Sequence, residues 1–598
     1  MPKEKTLDTI KNSPKTVYLL ALLAVGALCS GYLLMFVARA VHQSHYPEQT
    51  AQWANNGSWA ILGMYGTETN LEELGYSSRV QEASDHWVPS DPFLLENRST
   101  RILITGYIAY RAMGLIHKVV GNINWTWFVL RCMGTFVWVL LVYYLALRIG
   151  LPERAALFAA VFAACQGHLF TMVWFHNILW WGSLKQMVLH NAWGLLSYGR
   201  TELLRMPRPA ITHPALFLAA LLNVRTAENQ NYRSAAISGV WGGLLAYVRM
   251  DIWSSYLAAT FIFAAVYSVK EKKINRPLVC SAVISLLLSI PWLSVYLFSA
   301  GEAMERAGLK FNHDFNYFAL IYLAAFAASV YRFKKPMHLF AASILASVFL
   351  ANNIQLITGF SFFPFLWRTF GNVFFFLILL SLLPKRWLQR EVLWTGGIIA
   401  VLAISSVQSI SYGAIHYPFY GMQRDYEAAL QWIKGNTEKD EVVLALNSEA
   451  TFLLASHTGA KTFIASGSTP LSDHPSIENI RRVLTALRVM GIDRERFLEE
   501  TVYNPPFAET RRFWKRGEVE KSNFVDAYFL FNEPSDLKKY LAEIDAQTDV
   551  PMPQLNYIWI GNFEREYLPP DFPKGSSLNL TEVYTNPGVT LYKVGAVR

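Results

Sequence analysis

Two sets of residues in this chain could do chemistry together: a run of acids and a scatter of arginines. The acids lie between Arg39 and Thr100. They are Glu48, Glu68, Glu72, Glu73, Glu82, Asp85, Asp91 and Glu96, set against Arg39, Arg79 and Arg98. Glu72 and Glu73 are adjacent, and Glu72 precedes Tyr76 by the spacing that puts both on one face of a helix. A carboxylate there could deprotonate or orient an acceptor nucleophile. Paired carboxylates can also hold a divalent cation, such as Mg or Mn, that neutralises a phosphate leaving group. A solvated acidic helix face is the plainer reading of the same residues. The arginines are Arg200, Arg205 and Arg208 in YGRTELLRMPRPAITHP, Arg249 in AYVRMDIW and Arg368 in FLWRTFGN. Their planar forks suit the oxygens of an anionic lipid phosphate. Arg249 has Asp251 close by as a local ion-pair partner, whereas Arg368 has no neighbouring acid in sequence.

The elements that must position these groups are mostly apolar. The chain is 53% hydrophobic and only 16% charged, against the roughly 25% charged of soluble domains. Apolar runs long enough to span a bilayer recur from Val17 to about Ile410 and then stop. This predicts a polytopic α-helical membrane domain over 1–410, with a large first outer loop at 39–124, and a soluble α/β domain over 411–598. Spans are expected near 16–38, 125–147, 155–175, 210–222, 235–250, 252–269, 277–298, 316–331, 337–358, 369–384 and 392–410.

Alternate links between these spans carry the lysines and arginines, for example Lys270, Lys272, Lys273 and Arg276, or Arg332, Lys334 and Lys335. Such links belong on the cytoplasmic side. The acidic loop, the segment 176–209 and the C-terminal domain then share the opposite, periplasmic or extracellular face of a cytoplasmic membrane. Two apolar stretches, 102–120 and 178–198, contain Arg111, His117, Lys185 and His190. They read as amphipathic helices at the outer interface rather than as spans. The net charge of +9 lies in the topology-setting links, so a nucleic-acid partner is not expected. Cys29, Cys132, Cys165 and Cys280 all fall in apolar runs, which leaves the soluble part without a disulfide framework or a thiolate zinc site. The first span lacks a small-residue cleavage site, so it reads as a retained span.

Beyond Ser411 helix and strand patterns alternate. Helices are expected near 423–434, 476–490 and 493–501, and strands at 442–446, 524–531, 556–561 and 589–594. No phosphate-binding GxxxxGK loop and no dinucleotide fingerprint occurs there.

The layout resembles the GT-C superfamily of integral membrane glycosyltransferases, and more specifically a poorly characterised bacterial branch. The resemblance runs through Glu72, Tyr76, Ser78, Arg79, Glu82, Asp85, Asp91-Pro92 and Glu96 in the first loop. It continues in RMPRPAITHPALFLAALLNVR (205–225), NNIQLITGF (352–360) ahead of Arg368, and YIWIGNFERE (557–566) followed by VTLYKV. The resemblance implies inverting transfer from a polyprenyl-phosphate-linked sugar to an acceptor glycan, lipid or protein. Glu72 or Glu73 would be the base, and Asp91 or Glu96 would orient the sugar or help hold a metal. Arg79, Arg205, Arg249 and Arg368 would be the candidates for the lipid phosphate. One departure stands out: the family usually carries aspartate where this chain has Glu72 or Glu73. A non-catalytic structural or assembly subunit with the same fold is therefore the alternative.

Overall fold

The structure is a computed structural model. It describes residues 14–45, 57–59, 70–87, 90–96, 106–170, 210–299, 310–311, 313, 315–361, 365–416, 421–465, 476–503, 534–545 and 552–595. The chain folds into two compact units. One comprises Met1–Ala40, Trp127–Val295 and Leu309–His416, and the other Val41–Thr126, Tyr296–Gly308 and Tyr417–Arg598.

The first unit is helical. Among the described residues, five helices are long and apolar enough to cross a membrane by length and composition: Ile123–Ile149, Met250–Glu271, Arg276–Ser294, Pro336–Thr358 and Glu391–Ile410. Shorter apolar helices cover Lys15–Gly31, Leu320–Arg332 and Trp367–Leu382. The two short spans expected near 210–222 and 235–250 are the helices Thr212–Asn229 and Tyr232–Val248. Small residues let these helices approach closely, as they must where packing rather than water drives association. A Cβ on Gly31 would overlap the Ser409 carbonyl, and the Gly31 N–H donates instead to Ser409 Oγ at 2.9 Å.

The second unit is built on a five-stranded sheet. Its strand order is Lys461–Thr462, Val442–Leu444, Tyr557–Ile560, Thr590–Val594, Leu580–Thr585. The first three are parallel and the last two antiparallel. Alternating residues feed opposite faces, as the two-residue period of a strand requires. Val442, Leu444, Ile558 and Ile560 pack with Ile480, Val483 and Leu487 of the helix Ser476–Met490. Val443, Tyr557 and Trp559 pack with Leu430 and Ile433 of the helix Arg424–Asn436. Helices and strands predicted in this region therefore form where the pattern placed them. The strand expected at 524–531 lies outside the described residues.

The core on the second face is not closed by residues 411–598 alone. Phe93 and Leu94 of the acidic loop are buried in it, and the Thr462 N–H donates to the Phe93 carbonyl at 2.8 Å. The loop residues upstream form the helix Asn70–Asp85. The amphipathic pattern at 102–120 forms the helix Tyr107–Val120, whose buried residues are Ala109, Tyr110, Met113, Gly114 and His117. That buried stripe meets protein: Gly114 lies so close to Ala83 that an added Cβ would sit 2.6 Å from its carbonyl carbon. Arg111 donates to the carbonyls of Ala83 and His86 and lies over the Trp87 ring. The stretch 178–198 lies outside the described residues.

Candidate functional site

Glu72 and Glu73 fall in the first turn of the helix Asn70–Asp85. Acids there complement the positive end of the helix dipole, which gives the doublet a local reason to exist beside any chemical one. Their side chains, and the whole of Arg205, lie outside the described residues. The other loop residues have definite partners within the second unit. Arg79 lies 5.7 Å from the Tyr110 ring centroid. Asp91 is 0% exposed, and its Oδ1 accepts the Phe93 N–H at 2.8 Å in a tight local turn. Glu96 pairs with Arg482 at 3.1 Å, and Arg482 also grips Glu478 at 2.9 Å and the Phe463 carbonyl at 3.0 Å.

Glu82, which carried no assigned role, turns out to be central. Its Oε2 pairs with Lys461 Nζ at 2.9 Å, and its Oε1 accepts from Ser90 Oγ at 2.7 Å. Lys461 Nζ also donates to the Asp91 carbonyl at 2.7 Å. Both charges are buried, with side-chain exposures of 2% and 6%. A buried pair is tolerated only when its remaining donors and acceptors are satisfied, and here they are met by Ser90 and the Asp91 backbone.

Two histidines flank the same packing. His117 Nε2 lies 2.8 Å from Gln81 Oε1 and its Nδ1 2.8 Å from Thr126 Oγ1. Burial, with Lys434 nearby, lowers its pKa, and Asp85 opposes the shift. His457 is held through Nδ1 by Ser456 Oγ at 2.8 Å, while its buried Nε2 has no hydrogen-bond partner among the described residues. Burial above all pushes its pKa down to about 4, with Lys434 and His117 acting in the same direction and the Leu453 carbonyl against it. At the C-terminal ends of the strands Val442–Leu444 and Tyr557–Ile560 the buried Glu564 accepts the N–H groups of Leu446 and Asn447 on Oε1, at 2.9 and 2.7 Å, and that of Gly561 on Oε2 at 2.9 Å. It ties together the chain ends that follow two parallel strands.

In the first unit, Arg249 Nε donates to Asp251 Oδ1 at 2.6 Å, the ion pair its spacing allowed. Arg368 is different. It lies in the first turn of the helix Phe365–Leu382, which has no acid there, so the helix dipole opposes it. Its Nε donates to Asn352 Oδ1 at 3.1 Å, and among the described residues no carboxylate reaches ion-pair distance of it. The next residue, Thr369, has its Oγ1 2.9 Å from Nε2 of the buried His213, whose Nδ1 meets Thr212 Oγ1 at 3.1 Å. Trp138 stacks on that imidazole at 5.5 Å. Residues of the blocks 205–225 and 352–360, far apart in sequence, thus both reach the start of this helix, His213 at Thr369 and Asn352 at Arg368. Sequence reasoning quoted Asn352 and His213 within their blocks without giving them a role, and passed over Asn316. The Asn352–Asn353 doublet closing an apolar run was the available signal.

Among the described residues there is no group of three or more histidines, cysteines, aspartates or glutamates that could hold a metal ion. Asp91 and Glu96, the acids expected to help hold one, are engaged by Phe93 and Arg482.

No protein-family profile matches the chain, and no curated protein matches it. Among solved structures it is similar to ArnT from Cupriavidus metallidurans bound to undecaprenyl phosphate. The identity is 9%, over 94% of this chain and 98% of that one, with a TM-score of 0.42. ArnT from the same organism in the apo state gives 10% identity, the same coverage and a TM-score of 0.42. Likeness at that level leaves the chemistry to be argued from this chain's own residues.

Proposed function

We propose that this chain is a GT-C-type membrane glycosyltransferase. It moves a sugar from a polyprenyl-phosphate donor to an acceptor glycan, lipid or protein on the outer face of the cytoplasmic membrane. The observation that carries the reading is Arg368: a half-buried guanidinium at the start of an apolar helix, held by a neutral amide. A cation kept without a counter-charge at a span's mouth suits an anionic lipid headgroup. Of the sequence blocks that resemble the family, 352–360 reaches it through Asn352, and 205–225 reaches the adjacent Thr369 through His213.

In this reading Glu72 or Glu73 takes the proton from the acceptor nucleophile as that atom attacks the anomeric carbon. The bond from the anomeric carbon to the phosphate oxygen breaks with inversion, and the polyprenyl phosphate departs with the electron pair. Arg368, with Arg205 and Arg249, steadies the charge that develops on the phosphate, the kind of contact that lowers barriers most in a water-poor site. Arg249 would do so while sharing its charge with Asp251. The basic links between spans support a C-terminal unit, with the acidic loop built into its core, on the periplasmic or extracellular side.

The test is transfer of a radiolabelled sugar from a polyprenyl-phosphate donor in membranes carrying Glu72→Gln, Glu73→Gln or both. Loss of a general base should slow transfer by roughly 10²–10⁴-fold. Undiminished transfer by the double variant would remove both residues from the mechanism. A second reading, a non-catalytic assembly subunit, is favoured by one observation. Glu82, Asp91 and Glu96 are all spent on contacts within their own unit. Membranes that show no transfer with the unaltered chain, across donors and acceptors, would support it.

A further inference from the structure

Arg368 does not stand alone. The helix Pro336–Ala351 ends at Asn352, and the next residue is Asn353. At this helix end side chains supply donors to the last carbonyls, that of Val348 also accepting the Asn352 N–H at 3.0 Å. Asn352 Nδ2 donates to the Val348 carbonyl at 2.8 Å and Asn353 Nδ2 to the Phe349 carbonyl at 3.1 Å. Those bonds fix which way each amide points, because a flip would set an oxygen against an oxygen. The two Oδ1 atoms therefore turn away from the helix as acceptors. Asn353 Oδ1 takes the Asn316 N–H at 2.8 Å. Asn352 Oδ1 takes Asn316 Nδ2 at 3.4 Å and Arg368 Nε at 3.1 Å. Asn352 and Asn353 are only 1% and 6% exposed, so the amides form a rigid, buried bracket.

We propose that Asn352, backed by Asn316, is a positioning residue that orients the Arg368 guanidinium while leaving its charge uncompensated, for an anionic lipid phosphate. This rests on the lipid-phosphate reading above. A guanidinium carries five N–H donors in a planar fork. Holding Nε alone sets the plane and leaves the terminal nitrogens to bind two oxygens of one phosphate. An aspartate of the same size at 352 would hold Nε just as well. It would also cancel the charge, and that is what the neutral amide avoids. Capping accounts for the Nδ2 donor, which a carboxylate lacks; the Oδ1 turned to Arg368 is what the positioning role adds.

The experiment uses the purified full-length chain in detergent. It measures binding of a short-chain polyprenyl phosphate, with the matching neutral polyprenol and inorganic phosphate as comparison probes, beside the melting temperature without ligand. The unaltered chain should bind the lipid phosphate, ignore the polyprenol and be displaced only weakly by inorganic phosphate. Asn352→Asp should weaken binding about as much as Arg368→Ala does, by about tenfold or more for a lost charge-assisted contact. The change also removes the donor to the Val348 carbonyl, so the variant's melting temperature should fall, and binding is compared below that temperature. Asn316→Asp brings a carboxylate into the same bracket without touching the Val348 contact. It should weaken binding in the same direction, which keeps the test decisive if Asn352→Asp folds poorly. Full affinity in both aspartate variants, with affinity lost in Arg368→Ala, would overturn the positioning role and leave the transferase reading standing. Equal displacement by inorganic phosphate would overturn the lipid as the source. No binding of polyprenyl phosphate by the unaltered chain would overturn this proposal together with the lipid-phosphate reading. Intact binding without sugar transfer would count against the transferase alone.

Discussion

Replacing Lys461 with methionine should open the junction between the acidic loop and the C-terminal sheet. Lys461 Nζ is the cation for the buried Glu82 carboxylate and the donor to the Asp91 carbonyl, at 2.9 and 2.7 Å. Methionine fills a similar volume but leaves the carboxylate with Ser90 as its main hydrogen-bond donor. Removing one partner of a buried pair costs about 3–5 kcal/mol, because a buried charge is left uncompensated. At 1.4 kcal/mol per decade, that is roughly a 10²- to 4 × 10³-fold increase in local opening. The Thr462 N–H, bonded to the Phe93 carbonyl across the junction, is the natural reporter. Its hydrogen-exchange rate, measured on the full chain in detergent at constant pH, should rise by that factor. The double variant Lys461→Met with Glu82→Leu should recover much of the protection, since an apolar pair of similar volume often replaces a buried ion pair at little cost. An exchange rate within about threefold of the unaltered chain for Lys461→Met, or a double variant that exchanges faster than the single one, would refute the reasoning.

Acidification should loosen the same unit. His117 and His457 both have folded-state pKa values below the ordinary histidine value, about 4 for His457, so the neutral forms favour the fold. Their contribution is complete above about pH 6.5. It falls away as the pH drops from there toward about 4. Limited proteolysis of the full chain between pH 7.5 and 4.5 should show cleavage near 70–126 rising on the acid side, and His457→Gln should flatten that rise. A pH-independent cleavage pattern in the unaltered chain would contradict this. Glu564→Ala strands the N–H groups of Leu446, Asn447 and Gly561. Each unsatisfied buried group costs about 1–3 kcal/mol, so the variant should melt well below the unaltered chain, and an unchanged melt would show that water replaces the carboxylate.

Much of the architecture was legible because it is local. Apolar run length marked the long helices, short continuous apolar runs marked Val442–Leu444 and Tyr557–Ile560, and a 3.6-residue period marked Arg424–Asn436 and Ser476–Met490. Spacing alone allowed the Arg249–Asp251 pair, two residues apart. The lack of a nearby acid singled out Arg368. Lys461–Thr462 was not legible as a strand, since two residues carry no period. Leu580–Thr585 is a half-exposed edge without clean alternation.

The assignments that depend on distant partners came only with the tertiary structure. Glu82 and Lys461 are 379 residues apart, and Asn316 and Asn352 are 36 apart. Nothing in either local pattern names the other. Charge and apolar run length determined which segments are helices and where a cation stands alone. Only folding decided that Phe93 and Leu94 complete the core beneath the sheet and that Asp91 and Glu96 are held by distant partners. It also decided that a neutral amide, rather than a carboxylate, holds Arg368. The physical reason is that periodicity is written along the chain. Desolvation and charge pairing depend on which surfaces the folded chain brings together.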